Sequence, residues 1–167
     1  MNMRRFAALL CAVLLTVLAG CGQSAKTIPL TDREKDILAQ MGDDVVAVSD
    51  EDWAETVTEL QYHCDAFTGQ VYQLEGIFRA SQEINGVEAP YVYRTLVNGR
   101  EKTETGLPLA YLTKELPDGA WVRVSAIING GDYGGETLTT LEVVAVETLA
   151  KAGQTELTWT GSGHDHS

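Results

Sequence analysis

Four groups of residues in this chain have types and spacing that could do chemistry. Cys21 follows Leu18-Ala19-Gly20, so one thiol stands directly behind a run of small and apolar residues. His164-Asp165-His166 puts two imidazoles and a carboxylate within three residues, a set suited to zinc, copper or nickel. A closed zinc site needs four ligands and the flanking glycines, serines and threonines supply none, so weak capture on a flexible tail and a plain disordered end both stay open. Cys64 follows Tyr62-His63 and reads either as a thiol activated by the imidazole or as a small buried hydrophobe at a helix end, since adjacent helical residues do not face each other. Tyr91, Tyr93, Arg94 and Trp121 are the side chains expected to line a ligand groove, with core or rim packing an equal reading for Tyr93 and Trp121. Tyr133, inside Gly130-Gly131-Asp132-Tyr133-Gly134-Gly135, would add an adaptable loop at its rim or sit in a flexible connector.

Several chemistries are missing. The chain has no Gly-Xaa-Ser-Xaa-Gly elbow, no HExxH pair and no phosphate-binding loop with its lysine. Two of the three histidines lie in the last four residues, which leaves His63 alone for any hydrolytic mechanism. The chain is therefore read as non-catalytic and in need of no cofactor; a hydrolase built on carboxylates that meet in the fold is the enzymatic alternative. Asp43-Asp44 and Asp50-Glu51-Asp52 do not match the ligand spacing of a calcium loop and read as helix capping and solvated surface.

The elements that position these residues begin with an address. Met1 to Arg5 carries two positive charges, and Phe6 to Leu18 carries none. That stretch falls short of the roughly 20 apolar residues a membrane span needs. With the small residues that follow, it reads as a signal peptide over residues 1–20. Leu18-Ala19-Gly20-Cys21 resembles the lipobox of bacterial lipoproteins, which implies a diacylglycerol on the Cys21 sulfur, cleavage just before it and an extracytoplasmic, membrane-anchored protein. Ordinary secretion is the alternative. Residues 21–30 are then a tether, small and polar in Gly22-Gln23-Ser24-Ala25. Cys11 leaves with the signal and Cys21 is acylated, so Cys64 has no disulfide partner within the chain.

Residues 1–20 hold two of the 12 Lys and Arg and none of the 24 Asp and Glu, so their removal takes the net charge from −12 to −14. Such a field repels phosphate backbones and favours basic partners. Nucleic-acid binding is excluded on that ground.

A helical segment is expected over 31–62. Thr31-Asp32-Arg33-Glu34 has the hydroxyl and carboxylate spacing of a capping box and opens a helix from about Asp32 to Gln40. Val45 to Val48 is a brief strand or an extended connector. Trp53, Val57 and Leu60 recur at helical spacing and give a second helix over about Asp50 to Tyr62. From Gly69 the period changes to two. Tyr72, Leu74, Gly76 and Phe78 share one face of a strand, and Asn85-Gly86 marks a hairpin. Further strands are expected at Tyr91 to Val97, Leu107 to Leu112, Ala120 to Ile128 and Thr137 to Thr148. Five strands in about 80 residues with short turns suggest a small closed or nearly closed barrel over 63–150, leaving 151–167 as a tail. An open sandwich would use more strands.

Phe67-Thr68-Gly69-Gln70-Val71-Tyr72-Gln73-Leu74-Glu75-Gly76-Ile77-Phe78, then Tyr93-Arg94, then Leu116-Pro117-Asp118-Gly119-Ala120-Trp121-Val122-Arg123-Val124 and Leu141-Glu142-Val143-Val144-Ala145-Val146 follow a known order of strand motifs. This pattern, over about Trp53 to Leu149, resembles the OB-fold-like C-terminal domain of a permease-subunit family of Gram-positive bacteria. The resemblance implies a mostly β fold, a five-stranded OB-fold-like antiparallel barrel preceded by one or two N-terminal helices, working beside a membrane transporter. Members of that family carry a Cys-Cys pair after the second strand. Asn98 to Leu109 has no cysteine, so no thiol or metal role carries over. The expected function is that of a non-catalytic lipoprotein binding a protein partner or small ligand, with an accessory role in metal-ion handling beside a transporter as the alternative.

Overall fold

The computed structural model describes residues 27–158. Among them, helices α1 (Asp32–Met41), α2 (Trp53–Tyr62) and the single turn α3 (Cys64–Phe67) precede the main sheet, with strand β1 (Val45–Ala47) between the first two. Strands β2 (Val71–Ile84), β3 (Val87–Asn98), β4 (Glu101–Ala110), β5 (Trp121–Tyr133), β6 (Glu136–Thr148) and β7 (Glu156–Thr158) follow. None of the described helices is long and apolar enough to cross a membrane.

Five of the strands close on themselves in the order β2-β5-β6-β4-β3 and back to β2, an OB-fold-like barrel. A ring of five strands cannot alternate direction throughout, so one seam must be parallel. It is the β4–β6 seam, limited to Leu109 opposite Leu141 and Ala110 opposite Glu142. The other four seams are antiparallel.

β2 and β3 pair only from Ile77 opposite Tyr93 out to their hairpin, and splay apart before that point. Two short strands cover the edges so exposed. β1 runs parallel to Val71–Gln73, and β7 runs parallel to Thr95–Val97. β7 lies in the stretch read as a tail from sequence; three residues are too few to announce a strand by alternation.

The hairpin signal acts as expected, and one strand glycine marks a crossing. Asn85 and Gly86 both have positive φ, 51° and 80°, as the two-residue hairpin that matches the strand twist requires. Gly76 sits where β3 crosses closest: a Cβ there would lie 2.9 Å from the Tyr93 carbonyl oxygen, so the bend of β2 depends on its absence.

The core is one cluster built from the inward sets of the barrel strands and from Trp53, Val57 and Leu60 of α2, all three fully buried. Each such side chain contributes about 1.5–3 kcal/mol by leaving water. α1 adds nothing to this cluster. Its one buried side chain is Glu34, which with Thr31 completes the expected capping box. Ser49 closes a turn by accepting from the Asp52 amide at 3.2 Å, so α2 starts at Trp53, three residues later than the acids suggested.

Candidate functional site

A strand in a sheet with one wet face normally turns apolar residues inward and polar ones outward. The centre of β3 departs from this by burying an arginine and turning two tyrosines and a valine outward. Val92, Arg94 and Leu96 are buried in the interior, while Tyr91, Tyr93, Thr95 and Val97 line the outer face, half-buried.

On that outer face the rings of Tyr91 and Tyr93 stack at 6.5 Å with 25° between their planes. The Arg79 guanidinium of β2 lies 4.3 Å over the Tyr93 ring. It donates two parallel hydrogen bonds to Glu104 of β4, at 2.8 and 3.0 Å, and a third to Gln82 at 2.6 Å. The Glu104 carboxylate holds Arg79 protonated more firmly than usual, and burial pushes the Tyr91 hydroxyl up. Gly106 stands opposite Tyr93 in the neighbouring strand. A Cβ there would meet the Tyr93 Cβ at 2.7 Å, so the glycine lets the strands approach and leaves the Tyr93 ring uncrowded. The result is a stacked aromatic pair on the outer face with a fixed cation and a half-exposed carboxylate beside it. Such a surface binds by stacking and by burial of apolar area.

Of the five side chains expected to contact a ligand, Tyr91 and Tyr93 come together here. The other three do not. Arg94 follows Tyr93 in sequence, but successive residues of a strand point to opposite faces, and Arg94 is 1% exposed. Its Nε donates to the Glu75 carbonyl at 2.8 Å and its NH1 to Asp50 at 2.6 Å. Trp53 and Trp121 flank it, with ring centroids 5.2 and 4.8 Å away. Trp121 is itself buried and donates from Nε1 to Glu75 at 2.9 Å. These two residues fill the wedge where β2 and β3 splay. Asp50, read as a helix-capping acid, is the carboxylate that meets Arg94.

Tyr133 is also buried, at the end of β5. Its ring lies across Gly131, where a Cβ would stand 2.8 Å from it, and its hydroxyl faces Thr140. The glycine-rich connection is pinned as well, because Asn85 of the β2–β3 hairpin donates to the Tyr133 carbonyl and to Glu136. Two hairpin tips clasp each other where an adaptable loop was expected.

Sequence reading missed Arg79 and Glu104. The available signal was parity: Arg79 has the outward period of β2, and its register partner is Tyr91. Cys64 is half-buried at the start of α3, its thiol 3.5 Å from the Asn129 carbonyl and packed at the margin of the core. Cys21 and His164-Asp165-His166 lie outside the described residues. Among the described residues, no three His, Cys, Asp or Glu side chains are grouped as a metal site. Comparison with known protein families, curated proteins and solved structures finds no match to this chain.

Proposed function

We propose that this chain is a non-catalytic lipoprotein, anchored through Cys21 to the extracytoplasmic side of the cell membrane, whose barrel binds a protein partner or small ligand on the outer face of β3. The observation that carries the binding half is the stacked Tyr91–Tyr93 pair with Arg79 held over it, on a face where alternation would put polar side chains. The net charge of −14 after loss of the signal favours a basic partner, and a membrane transporter is the candidate that suits the anchor. Acylation needs the cysteine sulfur, so Cys21→Ser moves the protein from the membrane to the soluble fraction; continued membrane association rejects the anchor. Tyr91→Ser with Tyr93→Ser abolishes recovery of the partner from solubilised membranes while the chain stays folded. Undiminished recovery rejects the binding face.

The alternative reading is an accessory to metal-ion handling, and it rests on His164-Asp165-His166 in the sequence. Equilibrium dialysis against zinc and copper, with and without residues 161–167, decides it. Binding that vanishes with the tail supports the metal role; equal binding by both forms removes it.

A further inference from the structure

The N-terminal segment, residues 27–44, is joined to the barrel in an unusual way. A surface helix normally stays on a domain by burying an apolar stripe. α1 buries Glu34 instead, and its apolar residues Ile37, Leu38 and Met41 remain half exposed. A groove of about 580 Å³ separates the helix from Tyr111, Thr113 and the Val143-Val144 stretch of β6.

What holds the segment is the edge of β6. β4 pairs with β6 no further than Glu142. Beyond that point the Val146 amide donates to Glu34 Oε1 at 3.0 Å, and Lys114 Nζ donates to the Val146 carbonyl at 2.7 Å. Lys114 also bonds Glu34 at 2.5 Å and the Pro29 carbonyl at 3.2 Å. Ile28 and Thr148 exchange hydrogen bonds one repeat further along. Polar groups of the segment thus occupy places on β6 that a neighbouring strand would take.

We propose that residues 27–44 form a detachable strap, which leaves the β6 edge as a unit while the barrel stays folded. Contacts that are polar, few and beside an unfilled groove open more easily than a packed core. Release exposes the edge of β6 at Val146, where Glu34 and Lys114 now sit. It also lengthens the link to the membrane by up to about 60 Å, the extended span of 18 residues; this last consequence rests on the Cys21 anchor, and the opening itself does not.

Hydrogen exchange read by mass spectrometry on the purified full chain in detergent tests the strap. Peptides covering 27–44 and 143–148 exchange together, and faster than those of β2 and β5. Glu34→Gln speeds both by about tenfold or more, as expected for loss of charge-assisted hydrogen bonds, and speeds β2 and β5 by no more than the same factor, since global unfolding loses those bonds as well. Val124→Ala loosens the barrel, so it speeds β2 and β5 and leaves 27–44 at its original rate. Protection of 27–44 equal to that of β5, or acceleration of 27–44 in step with β5 by Val124→Ala, overturns the proposal. Lys114→Gln gives the same pattern as Glu34→Gln from the other side of the clasp; unchanged exchange of 27–44 in that variant counts equally against the strap. Neither outcome depends on where Cys21→Ser fractionates.

Discussion

The two faces of β3 carry the same three chemical parts in opposite surroundings. Outside, Arg79 lies over Tyr93 and pairs with Glu104, which is 48% exposed. Inside, Arg94 lies between Trp53 and Trp121 and pairs with Asp50. An exposed ion pair in water contributes little to stability, because solvent and salt compete for both charges. Removing a buried guanidinium leaves its carbonyl and carboxylate acceptors without donors, at a far higher cost. The inner set therefore holds the fold together, and the outer set can be altered, or occupied, with the fold intact.

The largest effect belongs to the inner set. Arg94→Ala removes the bonds to Glu75 and Asp50 and the filling between two tryptophans, and costs about 3 kcal/mol in denaturant unfolding. Asp50 is 39% exposed and regains water, which keeps the loss from exceeding that figure. Arg79→Ala costs no more than about 1 kcal/mol. Equal losses at the two positions would dissolve the distinction between the faces.

A smaller effect sharpens the comparison further. Glu104→Gln weakens the outer pair by a few tenths of a kcal/mol, and the effect shrinks in about 1 M salt because exposed charges are screened over a few ångströms there. The Arg94 cost persists in the same salt. Salt sensitivity at Arg94 matching that at Arg79 would mean that water reaches the wedge.

The third ion pair, Glu34 with Lys114, predicts a pH dependence. Burial raises the Glu34 carboxyl, but bonds from Lys114, Thr31 and the Val146 amide outweigh it and hold the pKa at about 2 against an ordinary 4.5. A depressed carboxyl stabilises the folded state above its unfolded pKa. The contribution is thus complete above about pH 4.5 and is lost as pH falls toward 2. Unfolding of wild type and Glu34→Gln, compared between pH 5 and 2, should converge at the acid end. A constant gap across that range would show that the stability does not come from the ionisation of Glu34.

How much of this was legible from residues alone follows from the range of each signal. Strand periods, the Asn85-Gly86 hairpin and the capping box at Thr31 are local and appear as the spacing implied, although β4 starts at Glu101 rather than Leu107 and β5 runs on to Tyr133 rather than ending at Ile128. The groove was half legible. Tyr91 and Tyr93 share a face by the two-residue period, and that same period separates Arg94 from them. Adjacency in sequence suggested a cluster that strand geometry forbids. Partners far apart in the chain were out of reach: Asp50 with Arg94, 44 residues on, and Glu34 with Lys114, 80 residues on. Tyr133 was misplaced because its glycine-rich flanks imply freedom, whereas Gly131 and Gly134 are small so that a ring and a hairpin tip can pack against them.

Site-specific photo-cross-linking in intact cells tests the proposed binding face most directly. A cross-linker replacing Tyr93 is expected to form a defined adduct with one membrane component, and the same group at Ile127, on β5 away from the tyrosine pair, is expected to form none. Adducts of equal yield from both positions, or none from position 93 in a chain that is folded and membrane-bound, would contradict the assignment of the outer face of β3 as the site where this protein meets its partner.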